Sequence, residues 1–462
     1  MWWFTLASCA EIDTGVAPEA DTDTDSDSDT DTDTDTDTDV ADGLAGLDDL
    51  GVKNVVFIHV DTLRADRLPT YGYSRDTLPD ARQLPWLVVD NYTSMDSWTL
   101  PSTTTMITSL EPSTHGVTHL DESFQPSTDL SALTLAQHLS DNGWATYGGS
   151  GNTVLQSTNF LSYGFDETSN PDAPGAQSNL DYLLSTSLQW LDRQPDGQPF
   201  FIFLQPMDVH GPYRPGDYAG TWSNAEDLPF ALTDPDETQV RKFEEAYRTA
   251  TEDERRTMFA AIGDVYDESI LNLDDAIVRA RGELGNRGLS DDTLLIVTSD
   301  HGEAFGEDNL HPWWGHGGTT RPEVTHIPLM FNNVRLADQA VGCLSQNTDI
   351  GPTVVQLLGL PPMDGVDGVA LQDGCRPFIR SSSYKTDTDR NATVEMMVSD
   401  GAAMLRWSCD HSTEEYYDLS TDRAAASPVD PATLSDVTLL QDEMASFEAL
   451  LQSQGVEPCV VE

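Results

Sequence analysis

The sequence predicts an α/β fold: a doubly wound, mostly parallel sheet followed by a smaller C-terminal α+β subdomain. Three observations predict it. Continuous β-branched and aromatic runs recur along the chain, as strands buried on both faces require. Helical segments separate them, which is the order that crossover helices impose on a parallel sheet. Beyond about residue 376 the pattern changes to short strand-like pieces, ATVEMMVSD and AAMLRWSC, with a closing helix at 435–453.

The first strand is VKNVVFIHV (52–60). GWATYGG (143–149), PFFIFLQ (199–205), DTLLIVTS (292–299) and HIPLMF (326–331) read as further central strands. Helices are expected over 128–141, 178–193, 253–283 and 350–358. Residues 222–260 are polar and charged and read as an insertion over the surface. The stretch SWTLPSTTTMITSLEPSTHG (97–116) holds one more helix, because Pro101 suits a first turn, where its missing N–H is no loss. Thr99 or Leu100 then stands at the helix mouth, where free N–H groups and the dipole favour an anion.

The chain divides into a leader at 1–9, an acidic Asp/Thr linker at 10–50, the large α/β domain at 51–375 and the C-terminal subdomain at 376–462. Net charge is −56, of which ten aspartates in the run 21–39 carry only a part. The folded portion is therefore acidic too. Such a surface repels nucleic acid and anionic headgroups, and it suits surroundings of high salt. The Asp-Thr run cannot bury a core and is expected to be an extended, self-repelling linker.

MWWFTLASCAE precedes that run, and Leu6-Ala7-Ser8-Cys9 resembles a bacterial lipoprotein box with Cys9 as the lipidated residue. The leader lacks a basic start, as a truncated signal peptide would. The expectation is an exported protein, periplasmic or at the bacterial cell surface, touching the membrane only through that anchor. Cys343, Cys375, Cys409 and Cys459 lack metal-site spacing and fit one or two disulfides in an oxidising compartment. Four cysteines allow three pairings, which the sequence leaves open.

Ligands of open α/β sheets bind beyond the carboxyl ends of the strands. Asp61 follows the first strand, and Asp300-His301 follow the strand at 292–299. Asp208 and His210 follow 199–205, and His316 precedes the strand at 326–331. Carboxylates and imidazoles thus collect on one rim. His59 faces a buried strand and reads as structural. His119, His311 and His326 carry no assigned role. The acids at Asp264, Asp267, Asp274 and Asp275 read as the solvated face of a helix.

VVFIHVDTLRADRLPTYGY, SWTLPSTTTMITSLEPSTHGV, YGFDE, MDVHGPY, YDESILNLDDAI, TLLIVTSDHGEAFGE, GHGG and DIGPTVVQLLGL occur in the order seen in sulfatase-like members of the alkaline phosphatase superfamily. The resemblance spans roughly residues 50 to 375 and implies an alkaline-phosphatase-like fold. It also implies hydrolysis or transfer of a sulfate or phosphate ester, with a metal at the rim and a covalent nucleophile at the helix mouth. By that resemblance Asp61, Thr99, Asp300 and His301 hold one divalent ion, and Thr99 is the metal-bound nucleophile. His210 and His316 serve as catalytic and substrate-binding residues, and His115 as a substrate-binding residue. Asn152, in GGSGNTV, is not counted among the ligands.

Three departures narrow the reading. Thr99 stands where sulfatases carry the cysteine that becomes formylglycine, Thr103 replaces the usual Arg, and Thr62 replaces the second acid of an Asp-Asp pair. These features resemble the threonine-nucleophile branch, which includes phospho-alcohol transferases. A formylglycine hydrate can expel sulfate through its second hydroxyl, and threonine cannot, so the chemistry leans to phosphoryl esters. Three oxygens and one nitrogen suit Zn²⁺ or Mn²⁺, whereas the family analogy suggests Ca²⁺. The expected substrate is a small-molecule or glycan ester. A transferase outside the cytoplasm and a non-catalytic binding protein that keeps the fold stand as alternatives.

Overall fold

The computed structural model describes residues 44, 47–119, 130–157, 160–169, 178–224, 238–307, 314–336, 339–384, 392–408 and 413–458. Cys9, Cys409, Cys459, His311 and nearly all of the acidic linker lie outside these residues.

The central sheet has eight strands: β1 (Asn54–Val60), β2 (Trp86–Thr93), β3 (Ala145–Ser150), β4 (Glu167–Ser169), β5 (Phe200–Gln205), β6 (Thr293–Ser299), β7 (Leu329–Asn332) and β8 (Gln339–Gln346). Their order is β8-β2-β7-β6-β1-β5-β3-β4. Every pairing is parallel except those of β7, which runs antiparallel to both β2 and β6. β1, β5 and β6 are buried along their whole length, as their unbroken apolar runs require.

Helices cover both faces. On one lie α1 (Thr99–Thr108), α2 (Leu135–Asp141) and a helix at Ile350–Leu357, packed over Phe57, Phe201, Phe203 and Ile296. On the other lie α3 (Leu180–Leu191), α4 (Thr238–Thr249) and the long α5 (Glu252–Asn286), packed over Val56, Ile58, Ile202 and Leu295. Alternate residues of β1 thus serve opposite cores.

Two expectations need correction. The stretch 222–260 is more than a surface insertion: α4 buries Phe243, and the start of α5 buries Met258 and Phe259 in the core. Nor do all four α5 acids lie on a solvated face, although Asp275 is exposed and Asp264 half-buried. Asp267 and Asp274 are buried. Asp267 takes Arg75 at 2.8 Å and the Tyr73 hydroxyl at 2.6 Å, and Asp274 accepts the Ala81 N–H at 2.7 Å. Partners some 190 residues away in sequence turn the helix face inward.

A second, five-stranded sheet runs β9 (Ile379–Tyr384), β10 (Ala392–Ser399), β11 (Ala403–Ser408) and β12 (Thr413–Asp418), antiparallel in turn, with Glu457–Pro458 parallel to β10, backed by a helix at Val437–Ser453. It braces two loops of the main domain. Ser382 donates its N–H to the Met95 carbonyl at 2.9 Å, and Glu395 accepts the Thr320 N–H at 2.8 Å. Among the three possible pairings, Cys343 bonds Cys375, joining β8 to the segment before β9.

Candidate active site

Strand register builds the centre of the site. Val60 lies beside Ser299 across β1 and β6, so Asp61 and Asp300 leave the sheet side by side. Both carboxylates are fully buried. Thr62 follows with a positive φ of 63°, an unusual conformation for a β-branched residue. Its N–H donates to Asp300 Oδ1 at 3.1 Å, and its hydroxyl is held by the carbonyls of Asp61 and Val209. The Thr62 side chain is therefore committed to backbone and adds no ligand where the second acid is missing.

α1 delivers Thr99 as its first residue, with Pro101 in the first turn and Trp98 at the cap. The Ser102 hydroxyl, one turn in, bonds the Asp300 carbonyl and ties the helix to the end of β6. Thr99 Oγ1 then lies 3.4 Å from His301 Nε2. That nitrogen is 3.5 Å from Asp300 Oδ2 and 3.9 Å from Asp61 Oδ1. The structure thus brings Asp61, Thr99, Asp300 and His301 into one buried cluster.

The electrostatics of this cluster fit a cation. Burial, and then Asp300, push the Asp61 carboxyl up, and burial pushes Asp300 up to about 6. Burial and the neighbouring His316 push His301 down to about 3, so its ring is neutral. The His301 Nδ1 faces the Gly302 carbonyl at 2.9 Å, which can only accept, so Nδ1 carries the proton and Nε2 offers a lone pair. Among the described residues no hydrogen bond reaches Asp61 Oδ1. Two buried carboxylates, an orphaned oxygen and an imidazole lone pair form an acceptor set, with donor atoms of Asp61, Asp300 and His301 all within 4.8 Å of one another. The residues present fit a divalent metal.

Asn152, not counted among the ligands, touches the cluster through its amide N–H. Its amide donates to Asp61 Oδ2 at 2.5 Å and to Thr99 Oγ1 at 3.4 Å. Gln205 Nε2 approaches Asp300 Oδ2 at 3.4 Å. Both residues sit at carboxyl ends of strands, β3 and β5, and that position was the available signal.

His316 lies beside His301 with ring centroids 4.4 Å apart and planes tilted by 37°, and the His210 ring centroid lies 5.2 Å from that of His316. Each is held by Nδ1: His316 by Glu303 Oε1 at 2.9 Å, His210 by the Gly211 carbonyl at 2.6 Å. Burial alone would lower His316, but the Glu303 carboxylate raises it from its ordinary value. Glu303, and Tyr213 behind it, are further residues the sequence reading lacks.

The structure does not bring His115 to the cluster. Its Nε2 lies 3.0 Å from Thr105 Oγ1 and its Nδ1 accepts the Val117 N–H at 3.0 Å, so one nitrogen ties back to α1 and the other to the segment after it. His59 is fully buried beneath, packed on Phe203 and pushed down to about 3 by burial and by His301.

Fold and site define an α/β protein with an acidic–imidazole cluster and a hydroxyl-bearing helix mouth at the carboxyl ends of its strands. The sulfatase family model matches residues 53–360, and the chain belongs to the sulfatase family. It is 28% identical over 240 residues to the multifunctional alkaline phosphatase superfamily protein PehA of Trinickia caryophylli, covering 46% of this chain and 44% of that one. It is 27% identical over 228 residues to choline-sulfatase of Rhizobium meliloti, covering 45% and 41%. The chain thus spans less than half the length of these curated relatives. Among solved structures, a phosphonate monoester hydrolase of Agrobacterium radiobacter shares the fold with a TM-score of 0.65 at 18% identity, covering 87% of this chain and 96% of that one.

Proposed function

We propose that this protein hydrolyses phosphate or sulfate esters with Thr99 as nucleophile, and that phosphoryl or phosphonyl esters are its better substrates. The observation that carries this reading is the Thr99 hydroxyl at the mouth of α1, 3.4 Å from His301 Nε2 and flanked by buried Asp61 and Asp300. Asp61, Thr99, Asp300 and His301 would hold a divalent ion (Zn²⁺, Mn²⁺ or Ca²⁺), whose charge makes a hydroxyl more acidic and stabilises ester oxygens. Family membership and relatives named for sulfate and phosphonate ester hydrolysis support the ester class.

The chain's own groups then divide the work. Thr99 Oγ1 loses its proton to water and bonds to the phosphorus while the bond from phosphorus to the leaving oxygen breaks. The leaving oxygen takes a proton from His316 Nε2, which faces away from Glu303. His210 and the free N–H groups at the start of α1 hold the non-bridging oxygens. Asn152 orients Asp61 and Thr99 together. Water then attacks the phospho-threonine and restores the hydroxyl. Threonine has no second hydroxyl to expel sulfate, which is why phosphoryl transfer is favoured.

The test is turnover of p-nitrophenyl phosphate, phenylphosphonate and sulfate under Zn²⁺, Mn²⁺ and Ca²⁺, with rapid quench and intact mass. A transient gain of about 80 Da on Thr99 is the expected result with phosphate. Turnover undiminished in Thr99→Ala would overturn the reading. An added alcohol acceptor separates a transferase, because product would then carry the alcohol.

We further propose export and anchoring through Cys9. The Cys343–Cys375 disulfide supports an oxidising compartment. Mass spectrometry of the N-terminal peptide tests the anchor, and an unmodified Cys9 in the native host would remove it.

A further inference from the structure

Four side chains beside the cluster form one hydrogen-bond network that converges on Glu303. The Trp314 indole N–H donates to the Tyr213 oxygen at 2.9 Å, and the Tyr213 hydroxyl donates to Glu303 Oε2 at 3.0 Å. The other Glu303 oxygen takes His316 Nδ1 at 2.9 Å. An indole N–H can only donate, so the Tyr213 hydroxyl turns its own proton to Glu303, and His316 Nδ1 donates to the same carboxylate from the other side. Every member is satisfied, and a buried network of this kind is stiff.

The members are built in firmly. Tyr213 is 0% and Glu303 3% exposed. The Glu303 carbonyl also accepts from Arg64 at 2.8 Å, which fixes the backbone beneath the carboxylate. Trp314 packs on Phe243 of α4, with ring centroids 4.7 Å apart. The buried face of α4 therefore reaches His316 through three side chains.

We propose that Glu303, Tyr213 and Trp314 are positioning residues that pin the His316 ring by Nδ1 and so aim Nε2 at the leaving oxygen of the ester. This rests on the hydrolase reading above. In the step concerned, the Oγ–P bond of Thr99 forms, the bond from phosphorus to the leaving oxygen breaks, and the Nε2 proton of His316 passes to that oxygen. The Nδ1 proton stays on His316 throughout, donated in a hydrogen bond to Glu303. A ring free to rotate would supply the proton from the wrong place or not at all.

The experiment compares wild type, Glu303→Gln, Tyr213→Phe and His316→Gln on aryl phosphates whose leaving phenols span pKa values from about 4 to about 10. Thermal midpoints of all variants are recorded. Where proton delivery fails, poor leaving groups suffer and good ones do not. The expected result is a loss of about 100-fold or more with phenyl phosphate in Glu303→Gln and His316→Gln, against less than about threefold with 2,4-dinitrophenyl phosphate. Tyr213→Phe shifts the same ratio in the same direction, by about three- to tenfold. An equal loss with every leaving group, or none, overturns the proposal.

A substrate-free measurement separates this from failure of the hydrolase reading. In ¹⁵N-histidine spectra of the metal-loaded protein, His316 is expected to carry a proton on Nδ1 that moves in Glu303→Gln while the His210 signals stay. A wild-type His316 without that proton overturns the positioning role whatever the activity. Full turnover in Thr99→Ala instead overturns the hydrolase reading and leaves the spectrum to decide the pinning of the ring. Should Glu303→Gln fail to fold, Tyr213→Phe carries both measurements.

Discussion

The Thr62 N–H reaches across 238 residues of sequence to Asp300 Oδ1, and this bond locks the ends of β1 and β6 together at the site. It also commits one Asp300 oxygen to backbone, since the His301 N–H donates to the same atom at 2.8 Å. The other oxygen faces His301 Nε2 at 3.5 Å, with Gln205 Nε2 at 3.4 Å.

Replacing Asp300 by Asn should therefore change stability with opposite signs in two conditions. In chelator, Asp300→Asn keeps the Oδ1 acceptor and removes a charge that raises the Asp61 carboxyl, so its thermal midpoint should equal or exceed wild type. With excess Zn²⁺ or Mn²⁺, wild type should gain about 3 to 4 kcal/mol at concentrations 100 to 1,000 times the dissociation constant, and the variant should gain much less. Differential scanning fluorimetry in both buffers checks this. Equal destabilisation in both would show that no ion is held.

Thr99→Ala should lower turnover by about a thousandfold or more, because it removes the atom that forms the covalent intermediate. Its stability should stay within about 1 kcal/mol of wild type, since the hydroxyl makes only long contacts of 3.4 Å. Thr99→Ser should retain measurable activity. Steady-state kinetics beside a urea melt distinguish loss of chemistry from loss of fold.

His115 supplies a pH prediction. Burial pushes it from 6.5 down to about 3 in the folded protein, so between these values the unfolded chain binds the extra proton. Stability from this residue is full above pH 6.5 and falls as the pH drops towards 3, by about 2 kcal/mol at pH 5. His115→Gln should lose less stability than wild type between pH 7 and pH 5, with turnover at pH 7.5 changed little. Urea melts at the two pH values measure the difference. Parallel losses would mean that His115 titrates normally.

The Cys343–Cys375 bridge closes a loop of 32 residues. On the chain-entropy model its removal in Cys343→Ala/Cys375→Ala should cost about 3 to 4 kcal/mol. Wild type in strong reductant should approach the variant's melting temperature. No change on reduction would show that the bond is absent in solution.

Much of this was legible because it is local. Five strands announced themselves as apolar runs, and a residue at a strand's carboxyl end stays there however the sheet is ordered. Asp61, Asp300 and His301 were found that way, and Thr99 by the proline two residues on. β2 and β8 were harder to read, since polar residues interrupt both: Asp90 and Asn91 in WLVVDNYT, Ser345 and Gln346 in QAVGCLSQ. The α5 acids misled because helical periodicity says which residues share a face but not what packs there. Arg67 and Arg75, from the segment after β1, decide that Asp267 is buried.

Sequence by itself determined the alternation of strands and helices, the acidity of the surface, the family and the hydroxyl at position 99. Only the tertiary structure decided which of the strand-end residues meet. Asn152 touches Asp61 because β3 and β1 flank β5, and Glu303 holds His316 because the loop after β6 folds back under Tyr213. Strand order and register join residues far apart in the chain, and no local pattern encodes them.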